Sequence, residues 1–139
     1  MKLDPVYLRN FALRYTVAWC SQDPERVAAF FSPNASLTVN GGVPAVGRAA
    51  IVTDVVQAFM SAFPDLHLEM DDIFIKDEQA EYHWTLTGTN SGPGGTGQKV
   101  RISGFEEWTI GEDGLVAESQ GHFDAADYEH QLRHGSDRS

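Results

Sequence analysis

Apolar positions divide the chain into a helical first half and a strand-rich second half. Asp4-Pro5 predicts a helix start, because an aspartate can accept from the free amides of the first turn and proline fits that turn. Tyr7, Phe11, Tyr15 and Trp19 then recur at every fourth position and form one aromatic stripe. Asp23-Pro24 predicts a second short helix carrying Val27, Phe30 and Phe31, broken by Ser32-Pro33-Asn34. ASLTVN (35–40) alternates as a short strand that Gly41-Gly42 ends. After Gly47-Arg48, Ile51, Val52, Val55, Val56, Phe59 and Phe63 share a broad apolar face, as an amphipathic helix requires, and Phe63-Pro64-Asp65 closes it.

From Leu66 the period changes to two. LHLEMDDIFI, AEYHWTLTGT, KVRISGFEEWTI and LVAESQGHFD are separated by KDEQ, a glycine-rich loop and GEDG, so four long strands are expected to meet as hairpins. A last helix is predicted from about Ala125 to Arg133. Helices followed by such a meander predict an α+β domain. Its curved antiparallel sheet would wrap the N-terminal helices into a cone with an internal pocket. No repeat or linker interrupts the chain, which reads as a single domain over 1–134 with a polar tail over 135–139.

Charge narrows the choice of partners. Twenty acidic residues against ten basic ones leave a net charge of −10, which repels phosphate backbones and anionic lipid, so neither nucleic acid nor membrane is expected. A hydrophobic fraction of 42% in regular patterns argues against disorder and leaves small organic ligands open. Cys20 is the only cysteine, so no disulfide forms within the chain. With no leader pattern at the N-terminus and no apolar run of membrane length, a cytoplasmic protein is the expectation.

Candidate chemistry gathers near the end of the last strand. Strict alternation puts Val116, Glu118, Gln120, His122 and Asp124 on one face and Ala117, Ser119, Gly121 and Phe123 on the other. The mostly polar even face either meets water or lines a cavity holding an acid/base pair, and the small side chains of the odd face keep the second reading open. Register bears on this. Pairing Ile110 with Leu115 sets Arg101 opposite Asp124 and Ser103 opposite His122, whereas a one-residue bulge or slip sets Gly104 opposite His122 and Glu106 opposite Gln120. Of Glu106 and Glu107, one must point into the curled sheet.

Other motifs carry bland readings. GPGGTG (92–97) matches a dinucleotide-binding pattern but leads into a strand and not a helix, so it is a hairpin loop. His130 and His134 have chelate spacing on a terminal helix without an acidic second shell, and no metal site is expected. His67 and His83 read as structural strand histidines.

The second half resembles SnoaL-like polyketide cyclases of the nuclear-transport-factor-2-like superfamily. The landmarks are Gly88-Thr89, the glycine-rich hairpin, Thr96-Gly97, Gly104, Gly114, Glu118, Asp124 and Gln131-Leu132. The first half agrees through its opening helix, DPERVAAFFSPNASL, Gly47-Arg48 and Phe63-Pro64-Asp65. The resemblance implies a cone-shaped α+β fold and a homodimer. It also implies cofactor-independent acid/base chemistry on a hydrophobic carbonyl compound, either aldol cyclisation or a ketosteroid-isomerase-like proton transfer. Asp124 would be the general base and His122 its partner, with Tyr15, Trp19, Phe59, Trp84, Glu106 and Gln120 as ligand-binding residues. Arg101 with Asp124 would be an epoxide-hydrolase-like variation. Such cyclases commonly carry His at the position of Asn90, Trp at the position of Gln120, and a further His on the strand 99–110, all missing here. Those absences favour the alternative, a non-catalytic ligand-binding or protein-interaction module.

Overall fold

The computed structural model describes residues 3–136. Helix α1 (Pro5–Trp19) begins where Asp4 accepts from the Val6 amide at 3.0 Å, and α2 (Pro24–Ala28) where Asp23 accepts from the Glu25 amide at 3.1 Å. The second helix ends earlier than expected. Phe30 and Phe31 leave it because a strand ladder takes them: Val116 donates to the Phe30 carbonyl, and Phe31, fully buried, opens β1 (Phe31–Val39). The Ser32-Pro33-Asn34 interruption survives as an irregularity within that strand.

A short strand, β2 (Ala45–Val46), pairs with β1 and has no signal in the sequence. The predicted amphipathic helix is present in three pieces: α3 (Arg48–Ile51), a π-helical turn (Val52–Val56) and α4 (Gln57–Ala62). Ile51, Val56, Met60 and Phe63 enter the core, while Val55 and Phe59 are half-buried at the edge of a cavity. The alternating segments give β3 (His67–Lys76), β4 (Gln79–Thr89), β5 (Lys99–Ile110) and β6 (Val116–Phe123). Asp77 and Glu78 both adopt positive φ, as a two-residue hairpin turn requires.

These strands form one curved, unclosed sheet in the order β2-β1-β6-β5-β4-β3. Every neighbouring pair is antiparallel except β1 and β6, which run parallel, so the sheet is not the purely antiparallel one expected. Its concave side wraps α1. Trp108 meets Phe11 and Tyr15 edge-on at 5.6 and 5.0 Å and stacks on Tyr82 at 4.9 Å, all four rings being buried. Each such ring pair adds about 0.5–1.5 kcal/mol beyond its buried area.

The β5–β6 register corrects both expected alignments. Glu106 lies opposite Gly121, Glu107 opposite Gln120 and Phe105 opposite His122. A bulge causes this, because Thr109 pairs with Glu118 while Ile110 pairs with Val116, leaving Ala117 over. One extra residue reverses the alternation beyond it. Val116 therefore shares the concave face with Ser119, Gly121 and Phe123, and the even positions from Glu118 onward face out.

Helix α5 (Ala125–His134) is tied to β5 by the Gln131 amide, which accepts from Arg101 N at 2.6 Å and donates to Arg101 O at 3.0 Å. Of the expected tail, Ser136 donates to the Lys99 carbonyl at 2.8 Å, and 137–139 lie outside the described residues.

Gly104 is where two strands and a ring crowd together. A Cβ there would sit 2.3 Å from the His122 carbonyl oxygen and 2.7 Å from Trp84 Cζ2, whereas one at Gly121 would meet nothing closer than 3.6 Å. Gly104→Ala is expected to destabilise by about 1–3 kcal/mol, read by chemical denaturation, and Gly121→Ala by much less. Equal losses would contradict this packing.

Candidate functional site

Between α1, the π turn and the concave sheet lies a pocket of about 550 Å³ with its open mouth included. Its walls are apolar: Leu37 and Val39 from β1, Leu68 from β3, Trp84 and Leu86 from β4, and Val55 and Phe59 from the helical layer. Ser119 and Gly121 carry small side chains on the concave face of β6, and Gly121 lies opposite Glu106. Little volume is filled at that point, and Glu106 is one of the residues that line the cavity.

Glu106 is buried and held by donors from three elements. Its Oε1 accepts from Ser119 Oγ at 2.8 Å, Tyr15 Oη at 3.1 Å and Trp108 Nε1 at 3.2 Å, while its Oε2 accepts from Tyr15 Oη at 3.0 Å. Oε1 is thus saturated and Oε2 keeps spare acceptor capacity. Loss of water around the carboxyl pushes its pKa up, and the donors from Ser119, Trp108 and Tyr15 offset only part of that. Burial together with the neighbouring Glu106 charge drives the Tyr15 phenol well above its ordinary value, so it remains a proton donor.

Trp19 stands one helical turn beyond Tyr15 on the same face of α1. Its Nε1 is the one buried side-chain nitrogen or oxygen without a hydrogen-bond partner among the described residues. It still lies close enough to the Tyr15 oxygen to favour that oxygen's charge, a weaker contact than a bond of proper geometry. A buried orphan donor costs about 1–3 kcal/mol, and a polar atom entering the pocket would recover part of it.

The structure brings Tyr15, Trp19, Phe59, Trp84 and Glu106 together as walls of this pocket. It corrects the rest of the expected site. Asp124 is exposed and lies one residue past the end of β6; its Oδ1 accepts from the Asp127 amide at 3.0 Å as the cap of α5. His122 points from the convex face, where its Nε2 is 2.8 Å from Glu107 Oε1 and its ring lies against Phe105 at 4.8 Å. Gln120 is on that same outer side, donating to Glu118 at 3.2 Å. Arg101 is exposed, pairs with Thr87 in the sheet and borders surface hollows away from the pocket. The outward turn of His122, Gln120 and the Asp124 end of the strand has one cause, the bulge at Ala117. His83 is likewise outside, 3.0 Å from Glu81 and stacked between Phe74 and Phe105.

Ser119 and Trp108 are not among the site residues expected from the sequence. A usable signal was present, since Glu106 and Trp108 are two apart on one strand and must share a face.

The α+β cone thus holds an apolar cavity lined in part by Glu106, whose carboxyl is buried and hydrogen-bonded. The SnoaL-like domain family matches residues 12–119, and the chain belongs to that family. No curated protein matches it. Among solved structures, a candidate SnoaL-like polyketide cyclase from Jannaschia sp. CCS1 superposes with a TM-score of 0.80 at 16% identity, covering 98% of this chain and 99% of that one. The epoxide hydrolase/cyclase-like enzyme SalBIII, which has a role in pyran ring formation in the polyether salinomycin, gives 0.76 at 16% identity over 89% of this chain and 95% of that one. A protein of ketosteroid isomerase-like fold from Catenulispora acidiphila gives 0.71 at 12% identity, covering 84% and 87%. At such identities the likeness shows the fold alone.

Proposed function

We propose that this protein is a cofactor-independent acid/base enzyme that binds a hydrophobic carbonyl compound and removes a proton from the carbon beside the carbonyl. The observation that carries the reading is Glu106, a buried carboxyl with raised pKa whose Oε2 accepts only from Tyr15 among the described residues, on a residue that lines an apolar pocket. A base desolvated in this way is matched to a weakly acidic C–H near neutral pH. Glu106 takes the proton, the C–H electron pair becomes the enolate double bond, and negative charge collects on the carbonyl oxygen. Trp19 Nε1 supplies a donor for that oxygen once ligand entry uncovers it, since the Tyr15 proton is already engaged with Glu106. The enolate then closes a ring by aldol attack or is reprotonated at another carbon as an isomerase would do; family membership favours the first.

A second reading, ligand binding without turnover, is favoured by the saturation of Glu106 Oε1, which a purely structural carboxyl would also show. Deuterium exchange from solvent into 1-indanone, polycyclic ketones and β-keto esters separates the two. Exchange above the buffer rate supports the enzyme. Retention of an aromatic ligand in native mass spectrometry with no exchange across the panel would replace it with the binder.

A further inference from the structure

The inner pocket shares part of its wall with a neighbouring hollow. Leu37, Val39, Val55 and Phe59 also form one side of a second hollow, bounded outside by the Gly42–Ala45 loop and by Asp54. This outer hollow holds about 770 Å³ with its open side included. Glu106 touches only the inner space, and Asp54 and Pro44 only the outer one.

The junction coincides with the break in helical regularity. Asp54 and Val55 both belong to the π turn, and such turns inside α-helices are frequent at functional sites. Asp54 is exposed, and its described side-chain partner is the adjacent Thr53 hydroxyl at 3.1 Å, so its charge is directed at the hollow with no cation beside it among the described residues. A carboxylate at that place, on a chain of net charge −10, disfavours an anionic ligand end and favours a cationic or hydrogen-bond-donating one.

We infer that the ligand site is bipartite and takes an elongated amphiphile: the carbonyl end lies at Glu106, an apolar tail passes between β1 and Val55 with Phe59, and a neutral or cationic far end rests beside Asp54. This rests on reading the inner pocket as the ligand site, but it does not require turnover.

Calorimetric titration of methyl ketones tests it on the full chain. In the wild type 2-decanone is expected to bind at least about tenfold more tightly than 2-hexanone, because its four further methylenes leave water. Pro44→Trp, at a residue that lines only the outer hollow, should abolish that gain while leaving 2-hexanone within about threefold. At fixed length, 10-aminodecan-2-one should bind at least about tenfold better than 9-oxodecanoate, and Asp54→Lys, an exposed change that leaves the core alone, should reverse the preference. The inference is overturned by any of three results: a length gain that survives Pro44→Trp, a charge preference indifferent to Asp54→Lys, or no binding of 2-decanone to the wild type. A protein that binds the series as expected yet exchanges no deuterium would lose the catalytic reading and keep the bipartite site.

Discussion

Glu106→Gln is expected to slow deuterium exchange into a bound ketone by at least about a hundredfold, within the range of roughly 10²–10⁴ that a positioned base contributes, while Asp124→Asn stays within about twofold. The glutamine keeps the side-chain shape and an oxygen for Ser119 and Tyr15 to donate to, but it has no basic lone pair of useful strength. Asp124 serves as the contrast because its carboxylate is outside the pocket and engaged with the Asp127 amide. Asparagine caps a helix about as well as aspartate, so this change should leave both α5 and the chemistry nearly untouched. Mass spectrometry of the recovered ketone reads both variants. The reverse order, with Asp124→Asn inactive and Glu106→Gln unimpaired, would refute the assignment.

The same carboxyl should make the folded protein less stable as pH rises. Glu106 has a raised pKa in the fold because burial penalises its charge. Below the ordinary glutamate range it is protonated in folded and unfolded chains alike, so its burial carries no charge penalty. Between the ordinary value and the raised one the unfolded chain gives up the proton first, and stability falls as pH rises through that window. Asp65 and Asp113 act in the opposite sense: hydrogen bonds from the Thr89 and Leu115 amides hold them below their ordinary values, and their contribution is lost as pH falls. Comparing wild type with Glu106→Gln isolates the buried group. Relative to pH 4, the stability difference at pH 8 is expected to shift in favour of the variant, because only the wild type loses stability through that window. Melting curves of the two proteins that run parallel over that range would show that Glu106 keeps an ordinary pKa.

These effects also show which parts of the molecule can be read from sequence. The α1 stripe was legible because four aromatics at helical spacing have one place to go, and the structure buries Phe11, Tyr15 and Trp19 against the sheet. Tyr7, at the exposed end of the stripe, instead donates to the Gly114 carbonyl and pins the β5–β6 turn. Strand identities followed from alternation, and the choice between Glu106 and Glu107 was rightly posed as one inward and one outward. What alternation does not reveal is the single extra residue at Ala117, which puts Val116 on the concave face with Ser119, Gly121 and Phe123, while Glu118, Gln120 and His122 take the outward of the two placements left open for them. Small residues at 119 and 121 looked too slight to face a core. Gly121 faces a cavity, where its slightness leaves room, and Ser119 is buried against Glu106. The family resemblance gave the cone correctly, yet it drew Asp124 toward a role that this chain gives to a helix cap. The π turn and the two-residue β2 depend on tertiary pairing and leave no periodic trace.

The most direct test is a carbon-13 titration of the glutamate side-chain carboxyls, with the Glu106 signal identified by its loss in Glu106→Gln, recorded with and without saturating 1-indanone. Proton uptake well above the ordinary glutamate value, with a signal that moves when the ketone binds, is the predicted result. An ordinary titration that ignores the ketone would contradict the claim that this carboxyl is the working group of the pocket.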